Sequence, residues 1–165
     1  MLRKNGFTLI EMLVVLGILG IIAVVGVATY NRMNMKSQVE MEAKRVASLL
    51  RGWQKDADSG TGADSCPVGI SYGGVRVTFD PTPVAPNPDL IQAEYVCVGG
   101  TTTYVIFDTV ELMNQVLISS GVPIQFLFRS VGGGSIPIQV TLTKGGIGYE
   151  VSLTTAGGIS VTKVP

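Results

Sequence analysis

One uninterrupted apolar segment near the N-terminus constrains the fold of this chain most. Residues Met12–Tyr30 form a run of 19 residues without a charged side chain, and between Phe7 and Asn31 the only charged residue is Glu11. As an α-helix the run is about 28 Å long, close to the roughly 30 Å hydrocarbon core of a bilayer. The segment is therefore predicted to cross a membrane once.

The composition of the whole chain argues against an enzyme. The 165 residues include no histidine, and 12 Lys and Arg balance 12 Asp and Glu. Without histidine the chain lacks the commonest general base, the usual zinc sites that contain His, and Ser-His or Cys-His nucleophiles. We therefore predict no catalytic site, no metal and no other cofactor. The absence of net basic charge also argues against nucleic-acid binding.

The apolar segment has two ordinary interpretations. Arg3 and Lys4 precede it, which favours a cytoplasmic N-terminus and an external remainder, as in a single-span anchor. A cleavable secretory signal is the alternative, because Gly26-Val27-Ala28 is a small-x-small cleavage site. Neither interpretation explains Glu11, since a carboxylate inside an apolar membrane segment costs free energy.

The residues around Glu11 resemble a known processing site. The segment Lys4–Glu11 reads KNGFTLIE and leads into the charge-free run, and it is similar to the N-terminal motif of type IV pilins, a family that includes the pseudopilins of type II secretion. The resemblance implies that a prepilin peptidase cuts between Gly6 and Phe7 and methylates the new N-terminal Phe7. Glu11 then becomes the fifth residue of the mature chain, the glutamate typical of the family.

The chemistry of the residues agrees with this resemblance. Cleavage before Phe7 would create an ammonium group at the start of an apolar helix, and Glu11 lies one helical turn further on. In a medium of low dielectric constant the two charges attract each other, on one chain or between neighbours. Because such buried pairs often specify geometry more than they stabilise, we expect Glu11 to align subunits during filament assembly.

The helical pattern continues beyond the apolar run. Apolar residues recur at spacings of three and four and predict a stripe that packs on another layer, namely Val39, Ala43, Val46, Leu50 and Trp53. No proline interrupts the chain between Phe7 and Asp58, so we predict one helix over Phe7–Gln54. The family resemblance implies the same arrangement, a long N-terminal helix whose outer half packs on a β-sheet head.

The C-terminal part is predicted to be β-rich. Asp56–Pro67 has the composition of a loop, and Asp108–Glu111 has the capping-box pattern of a short helix that would run to about Ile118. An antiparallel meander is predicted, and its first hairpin turns at Gly73-Gly74. The predicted strands are Val68–Tyr72, Val75–Phe79, Glu94–Val98, Thr103–Phe107, Ile124–Arg129, Ile138–Thr143, Tyr149–Thr154 and Ile159–Lys163.

Two cysteines and an acidic loop are the other candidate sites. Cys66 and Cys97 both lie outside the predicted span, so an oxidising exterior would allow a disulfide; two buried thiols are the alternative. Asp56, Asp58 and Asp64 supply oxygen atoms that suit Ca²⁺. A loop that ends the helix is the preferred interpretation of these acids, because Pro67 occupies the last ligand position of a calcium-binding loop.

Charge divides the chain beyond the apolar run into two parts. Residues 31–55 carry six basic and two acidic side chains, whereas residues 56–165 carry four basic and nine acidic ones. Solvated faces on both parts are the ordinary interpretation of this asymmetry, and attraction between the basic helix of one subunit and the acidic head of another is the alternative.

Together these observations predict an α+β protein with the pilin fold. Its regions are a leader peptide (1–6), a transmembrane helix (7–30), an amphipathic continuation (31–55) and a β-rich extracytoplasmic head (56–165). The resemblance implies a structural filament subunit of the inner membrane, assembled in a periplasmic or cell-surface filament. Its implied partners are the prepilin peptidase, other pilin or pseudopilin subunits and an inner-membrane assembly platform.

The closing segment of the chain bears on the subtype. The closing segment Gly148–Val161 looks like the end of minor pilins and pseudopilins with a GspH/FimT-type head, which favours a minor subunit. The alternatives are a major pilin, a minor pilin for DNA uptake, and a secreted β-rich binding domain that a signal peptidase releases.

Overall fold

A computed structural model describes residues 8–81, 88–120, 122–129 and 137–165, with the backbone alone at residues 23–26 and 28. The chain divides into two compact units, Met1–Met35 and Lys36–Pro165. The helix α1 spans Leu9–Ser59, so part of it belongs to each unit. All strands belong to the second unit, and the fold class is the predicted combination of an N-terminal helix with antiparallel β-structure.

The helix continues further than predicted at its C-terminal end. Ala57 lies four residues after Trp53 and is fully buried, so the apolar stripe gains another turn within the segment that was predicted to be a loop. The helix ends at Ser59, and Gly60 follows with a φ of 71°. A glycine in the left-handed region is a common helix stop, because it has no Cβ to clash there. A short 3₁₀ helix, Thr61–Ser65, follows.

In the part of the chain that the structure describes, eight strands form two antiparallel sheets of four. Their bounds are β1 Ser71–Asp80, β2 Leu90–Val98, β3 Thr102–Glu111, β4 Leu117–Ile118, β5 Ile124–Arg129, β6 Ile138–Lys144, β7 Ile147–Leu153 and β8 Ile159–Lys163. The first sheet has the order β3-β2-β1-β5 and the second β4-β6-β7-β8. The predicted meander is therefore correct for β1–β2–β3 and β6–β7–β8, whereas β5 pairs with β1 instead of a neighbour in sequence.

The predicted hairpin at Gly73-Gly74 is wrong. The two glycines lie inside the continuous strand β1, and the pairing register with β2 shifts between Tyr72 and Gly74. Gly74 has a φ of 131° and no room for a Cβ, because the backbone carbonyl of Phe128 on β5 approaches it closely. The glycine pair therefore allows a bulge and close strand contact, which is the other common use of glycine in a sheet.

The predicted helix over Asp108–Ile118 is also wrong. Asp108–Glu111 continues β3 and pairs with Leu90–Ala93 of β2. The capping pattern is not used, because the Asp108 carboxylate accepts a hydrogen bond from Trp53 Nε1 at 3.2 Å. The carboxylate that the local pattern predicted as a helix cap thus accepts a hydrogen bond from a residue distant in the sequence.

The core of the second unit lies between the helix and the two sheets. The predicted stripe is buried, since Val39, Ala43, Val46, Leu50 and Trp53 are each at most 4% exposed. These residues belong to one apolar cluster with inward-facing residues of both sheets. The prediction that the outer part of the helix packs on antiparallel β-structure is therefore confirmed.

Candidate functional site

The start of α1 is built around Thr8. The Glu11 backbone N–H donates to Thr8 Oγ1 at 3.3 Å, and the Met12 backbone N–H donates to the Thr8 carbonyl at 3.3 Å. Thr8 is therefore the N-cap and Glu11 the third residue of the helix, which is the spacing of a capping box with the bond to the Thr8 hydroxyl in place. Both residues belong to the N-terminal motif, and this role was not predicted, although the Thr-x-x-Glu spacing is a sequence signature of a helix start.

Glu11 also has a favourable electrostatic position. It is exposed and lies in the first turn of the helix, where the unpaired backbone N–H groups carry partial positive charge. The predicted cleavage and methylation residues, Gly6 and Phe7, lie outside the described residues, so the structure provides no geometry for them. The structure therefore gives Glu11 a local partner, the helix terminus, beside the intermolecular one predicted from the sequence.

The helix that follows Glu11 is apolar on every side. All described large apolar residues between Leu9 and Ile22 are exposed, from 45% at Val15 to 79% at Leu9. Gly17 and Gly20 have open space where a Cβ would lie, so another helix could approach the backbone there. A helix that is apolar all round is stable only when another medium or other chains cover it. In the described residues, however, no helix meets the length and hydropathy expected of a membrane span.

Buried polar contacts attach the helix to the head in the second unit. Glu42 is only 4% exposed, and its Oε1 accepts hydrogen bonds from Arg45 Nη1 at 2.7 Å and from the Met113 backbone N–H at 3.2 Å. The loop that begins at Met113 contains Asn114 and Gln115, both with positive φ. Since residues other than glycine adopt this conformation at some cost in free energy, the hydrogen bond from Met113 to Glu42 helps to hold the loop in place. No pattern of residues indicated this contact.

A second polar cluster joins the helix to β7. Glu40 accepts hydrogen bonds from Lys44 Nζ at 2.7 Å and from the Tyr149 hydroxyl at 3.0 Å. These bonds, first the one from Lys44, lower the pKa of the Glu40 carboxyl. Burial and the bond to Glu40 raise the pKa of Tyr149. The spacing of Glu40 and Lys44 is i,i+4, but the contribution of Tyr149 depends on the tertiary fold.

Cys66 and Cys97 are bonded as a disulfide, with their Cα atoms 5.6 Å apart. The bond joins the segment after the 3₁₀ helix to strand β2. Beside it the rings of Tyr72 and Tyr95 make an edge contact at 6.0 Å. Burial raises the pKa of Tyr72 to about 12 from its ordinary value of 10.0. Of the two alternatives left open by the sequence, the structure therefore has the disulfide.

The described residues include no group of acidic, cysteine or histidine side chains that could hold a metal ion. Asp56 and Asp58 belong to the last turns of α1, and Asp64 lies in the 3₁₀ helix. The loop interpretation was thus wrong about the position of Asp56 and Asp58. The structure provides no support for Ca²⁺ binding by the three acids.

Comparisons with known proteins bear on the N-terminal segment. Residues 1–27 match the family model described as Prokaryotic N-terminal methylation motif, the signature of type IV pilins and pseudopilins, so the motif predicted from the sequence is confirmed. Neither the curated proteins nor the solved structures gave a match. The match includes Gly6, Phe7 and Glu11, but it does not extend to the head.

Proposed function

We propose that the chain is a structural subunit of a type IV pilus-like or type II secretion pseudopilus filament. The observation that carries the proposal is the match of residues 1–27 to the N-terminal methylation motif. The all-round apolar surface of the described helix between Leu9 and Ile22 supports it, because such a surface needs a covering that a filament core or a bilayer would provide.

In this proposal a prepilin peptidase removes residues 1–6 and methylates Phe7. The helix over residues 7–30 holds the subunit in the inner membrane before assembly, and the head over residues 56–165 lies outside the cytoplasm. The disulfide between Cys66 and Cys97 supports an external head, since disulfides persist in oxidising compartments. After extraction from the membrane the apolar helices of neighbouring subunits would cover one another.

Glu11 has two possible roles in assembly, and the structure makes them separable. In the first, its carboxylate pairs with the terminal ammonium of Phe7 on a neighbouring subunit and sets the stacking register. In the second, it only stabilises the start of its own helix together with Thr8. We propose the first role, because a neutral side chain could cap the helix equally well, whereas a terminal ammonium group in a medium of low dielectric constant attracts a negative charge.

Three variants test this role. Glu11→Gln keeps the shape of the side chain and an oxygen acceptor but removes the charge, Glu11→Ala removes both, and Thr8→Ala removes the N-cap hydroxyl at a cost of about 1 kcal/mol of helix stability. Filament yield is measured by shearing and sedimentation. Processing is measured by the mass of the membrane-bound chain.

The proposal expects all three variants to be processed, and it expects only Thr8→Ala to assemble like the unaltered chain. If Glu11→Gln assembles normally and Thr8→Ala does not, assembly depends on the N-cap and not on the charge of Glu11, and the pairing role is wrong. If all three assemble normally, neither role is needed for assembly.

We favour a minor subunit, because the segment Gly148–Val161 looks like the end of heads of the GspH/FimT type. A major pilin, a minor pilin for DNA uptake and a secreted domain released after Ala28 are the alternatives. Quantifying the subunit in purified filaments separates minor from major, since a minor subunit is present in far fewer copies than the main one. Salt-dependent binding of DNA by the processed chain would favour the uptake role.

A further inference from the structure

The chain between β3 and β5 presents apolar side chains to solvent. This segment, the β3–β5 connection, covers residues 112–123, described apart from Gly121, and includes the short strand β4. Met113, Leu117 and Val122 in it are 53%, 51% and 66% exposed, and the segment contains no charged residue. Exposed apolar residues that occur together mark contact sites more often than single ones do.

Buried carboxylates satisfy the backbone of this connection. The Ile118 N–H donates to Asp89 Oδ2 at 2.6 Å, and the Met113 N–H donates to Glu42 Oε1 at 3.2 Å. The Leu112 N–H donates to the Asp89 carbonyl at 3.0 Å. Both acids are at most 4% exposed. A segment whose N–H groups are bonded within the protein can leave water at a smaller cost than one whose N–H groups need water.

The connection leaves and rejoins the first sheet at one end. Glu111, the last residue of β3, pairs with Leu90, and Leu90 also pairs with the last residue of β1. Ile124, the first residue of β5, pairs with the same end of β1. The three exposed apolar residues therefore all belong to this end of the head.

This end of the head is also the one that contacts the first turn of the helix in the second unit. Lys144 Nζ donates both to the Asn114 carbonyl and to Gln38 Oε1, the latter at 2.7 Å, and Gln38 is the third residue of that unit. Eight residues separate Gln38 from Tyr30, the end of the predicted span, and as a helix they cover about 12 Å. The headgroup layer extends roughly 5–8 Å beyond the hydrocarbon core on each side. The connection is therefore tethered within reach of that layer.

We propose that the β3–β5 connection inserts its apolar side chains into the interface of the bilayer that holds the unassembled subunit. The proposal rests on the proposed function, because it needs the helix over residues 7–30 to lie in a membrane. It adds a second membrane contact, which the head makes, to the one that the helix makes. Because the helix keeps the head close to the bilayer, the effective concentration is high and a weak contact is sufficient.

The composition of the connection favours lipid as the partner. Its other exposed polar side chains, Asn114, Gln115 and Ser119, are neutral and can remain at the level of the headgroups. Segments that lie in the interface bury their apolar side chains about 5–10 Å deep and need no matching shape on the other side. Extraction of the subunit into a filament then has to break this contact.

A fluorescent label on the full-length processed chain in lipid nanodiscs tests the proposal. The nanodiscs contain phosphatidylcholine and phosphatidylglycerol, and co-elution of chain and lipid verifies insertion. Ser119→Cys carries an environment-sensitive label beside the apolar residues without replacing them. Thr155→Cys is the matched control, because it lies in the exposed turn between β7 and β8, and that turn packs near Gln54, sixteen residues further along the helix than Gln38. Peptide mapping verifies that the native disulfide remains.

Two quenchers report the position of the label, iodide in water and a nitroxide attached to the lipid headgroup. The proposal expects the Ser119 label to be quenched by the nitroxide and shielded from iodide, and the Thr155 label to behave in the opposite way. Leu117→Gln combined with Val122→Gln should return the Ser119 label to water. Ile106→Gln should not, although Ile106 on β3 is similarly exposed at 56%. Circular dichroism verifies that each variant is folded.

The proposal is overturned if the two labels of the inserted chain are quenched alike, or if the double variant changes nothing. A Ser119 label that is shielded from both quenchers would indicate a protein contact and would also overturn it. The insertion control separates the two proposals. If the chain does not enter the nanodisc, the membrane anchor of the proposed function fails as well, whereas an inserted chain with its Ser119 label in water contradicts only the contact of the head.

Discussion

Replacing Glu42 tests how the helix is attached to the head. Glu42→Ala removes the acceptor of two hydrogen bonds, from Arg45 and from the Met113 backbone N–H. Bonds to charged groups contribute about 1.5–3 kcal/mol when buried. The Arg45 side chain is 35% exposed, so water can replace the bond that it loses. We therefore expect Glu42→Ala to lower the free energy of unfolding by about 1.5–3 kcal/mol in total. For a chain of this size that loss lowers the Tm by about 3–12 °C.

The assay can follow the single tryptophan, because Trp53 is 4% exposed and lies between helix and head. Its fluorescence during thermal unfolding in detergent reports the packing directly. Glu42→Gln is the matched variant, because its side-chain carbonyl still accepts a hydrogen bond from the Met113 backbone N–H but carries no charge. We expect it to lower the free energy of unfolding by about 0.5–1.5 kcal/mol. Equal Tm values for Glu42→Ala, Glu42→Gln and the unaltered chain would refute the reasoning.

Three further predictions concern the head and the helix that packs on it. Reduction of the Cys66–Cys97 disulfide is expected to lower the free energy of unfolding by about 3.7 kcal/mol, measured by denaturant titration; an unchanged midpoint would contradict it. Gly74→Ala should cost about 1–3 kcal/mol because its Cβ would meet a β5 carbonyl, whereas Gly52→Ala, in open space on the helix, should stabilise by about 0.5–1 kcal/mol. Burial raises the pKa of Tyr72 to about 12 from 10.0. The contribution of the neutral Tyr72 side chain to stability is therefore complete below pH 10 and is lost as the pH rises toward 12. When the absorbance of tyrosinate is followed during a pH titration, it should show a step at high pH that Tyr72→Phe removes.

The sequence predicted best those elements whose signal is local. The apolar stripe from Val39 to Trp53 predicted the buried face of the helix, and the strands Ile124–Arg129 and Ile159–Lys163 have the predicted bounds. The N-terminal motif is of this kind too, because its residues are contiguous. Alternation and fixed offsets can be recognised without knowledge of the fold.

The errors occurred where a distant partner decides the local conformation. Gly73-Gly74 has the composition of a turn, yet it lies inside β1 because β2 and β5 pair on its two sides. Asp108 begins a capping pattern, yet its carboxylate is bonded to Trp53, 55 residues away. The buried contact of Glu42 with the Met113 loop had no sequence signal for the same reason.

The mature N-terminus of the membrane-bound or filament-assembled chain tests the central claim most directly. Mass spectrometry of the N-terminal peptide reads it without any variant. We predict that the chain begins at Phe7 and carries one methyl group on its amine, with residues 1–6 absent. A chain that keeps Met1–Gly6 in assembled filaments, or that begins at Thr29, would contradict the account.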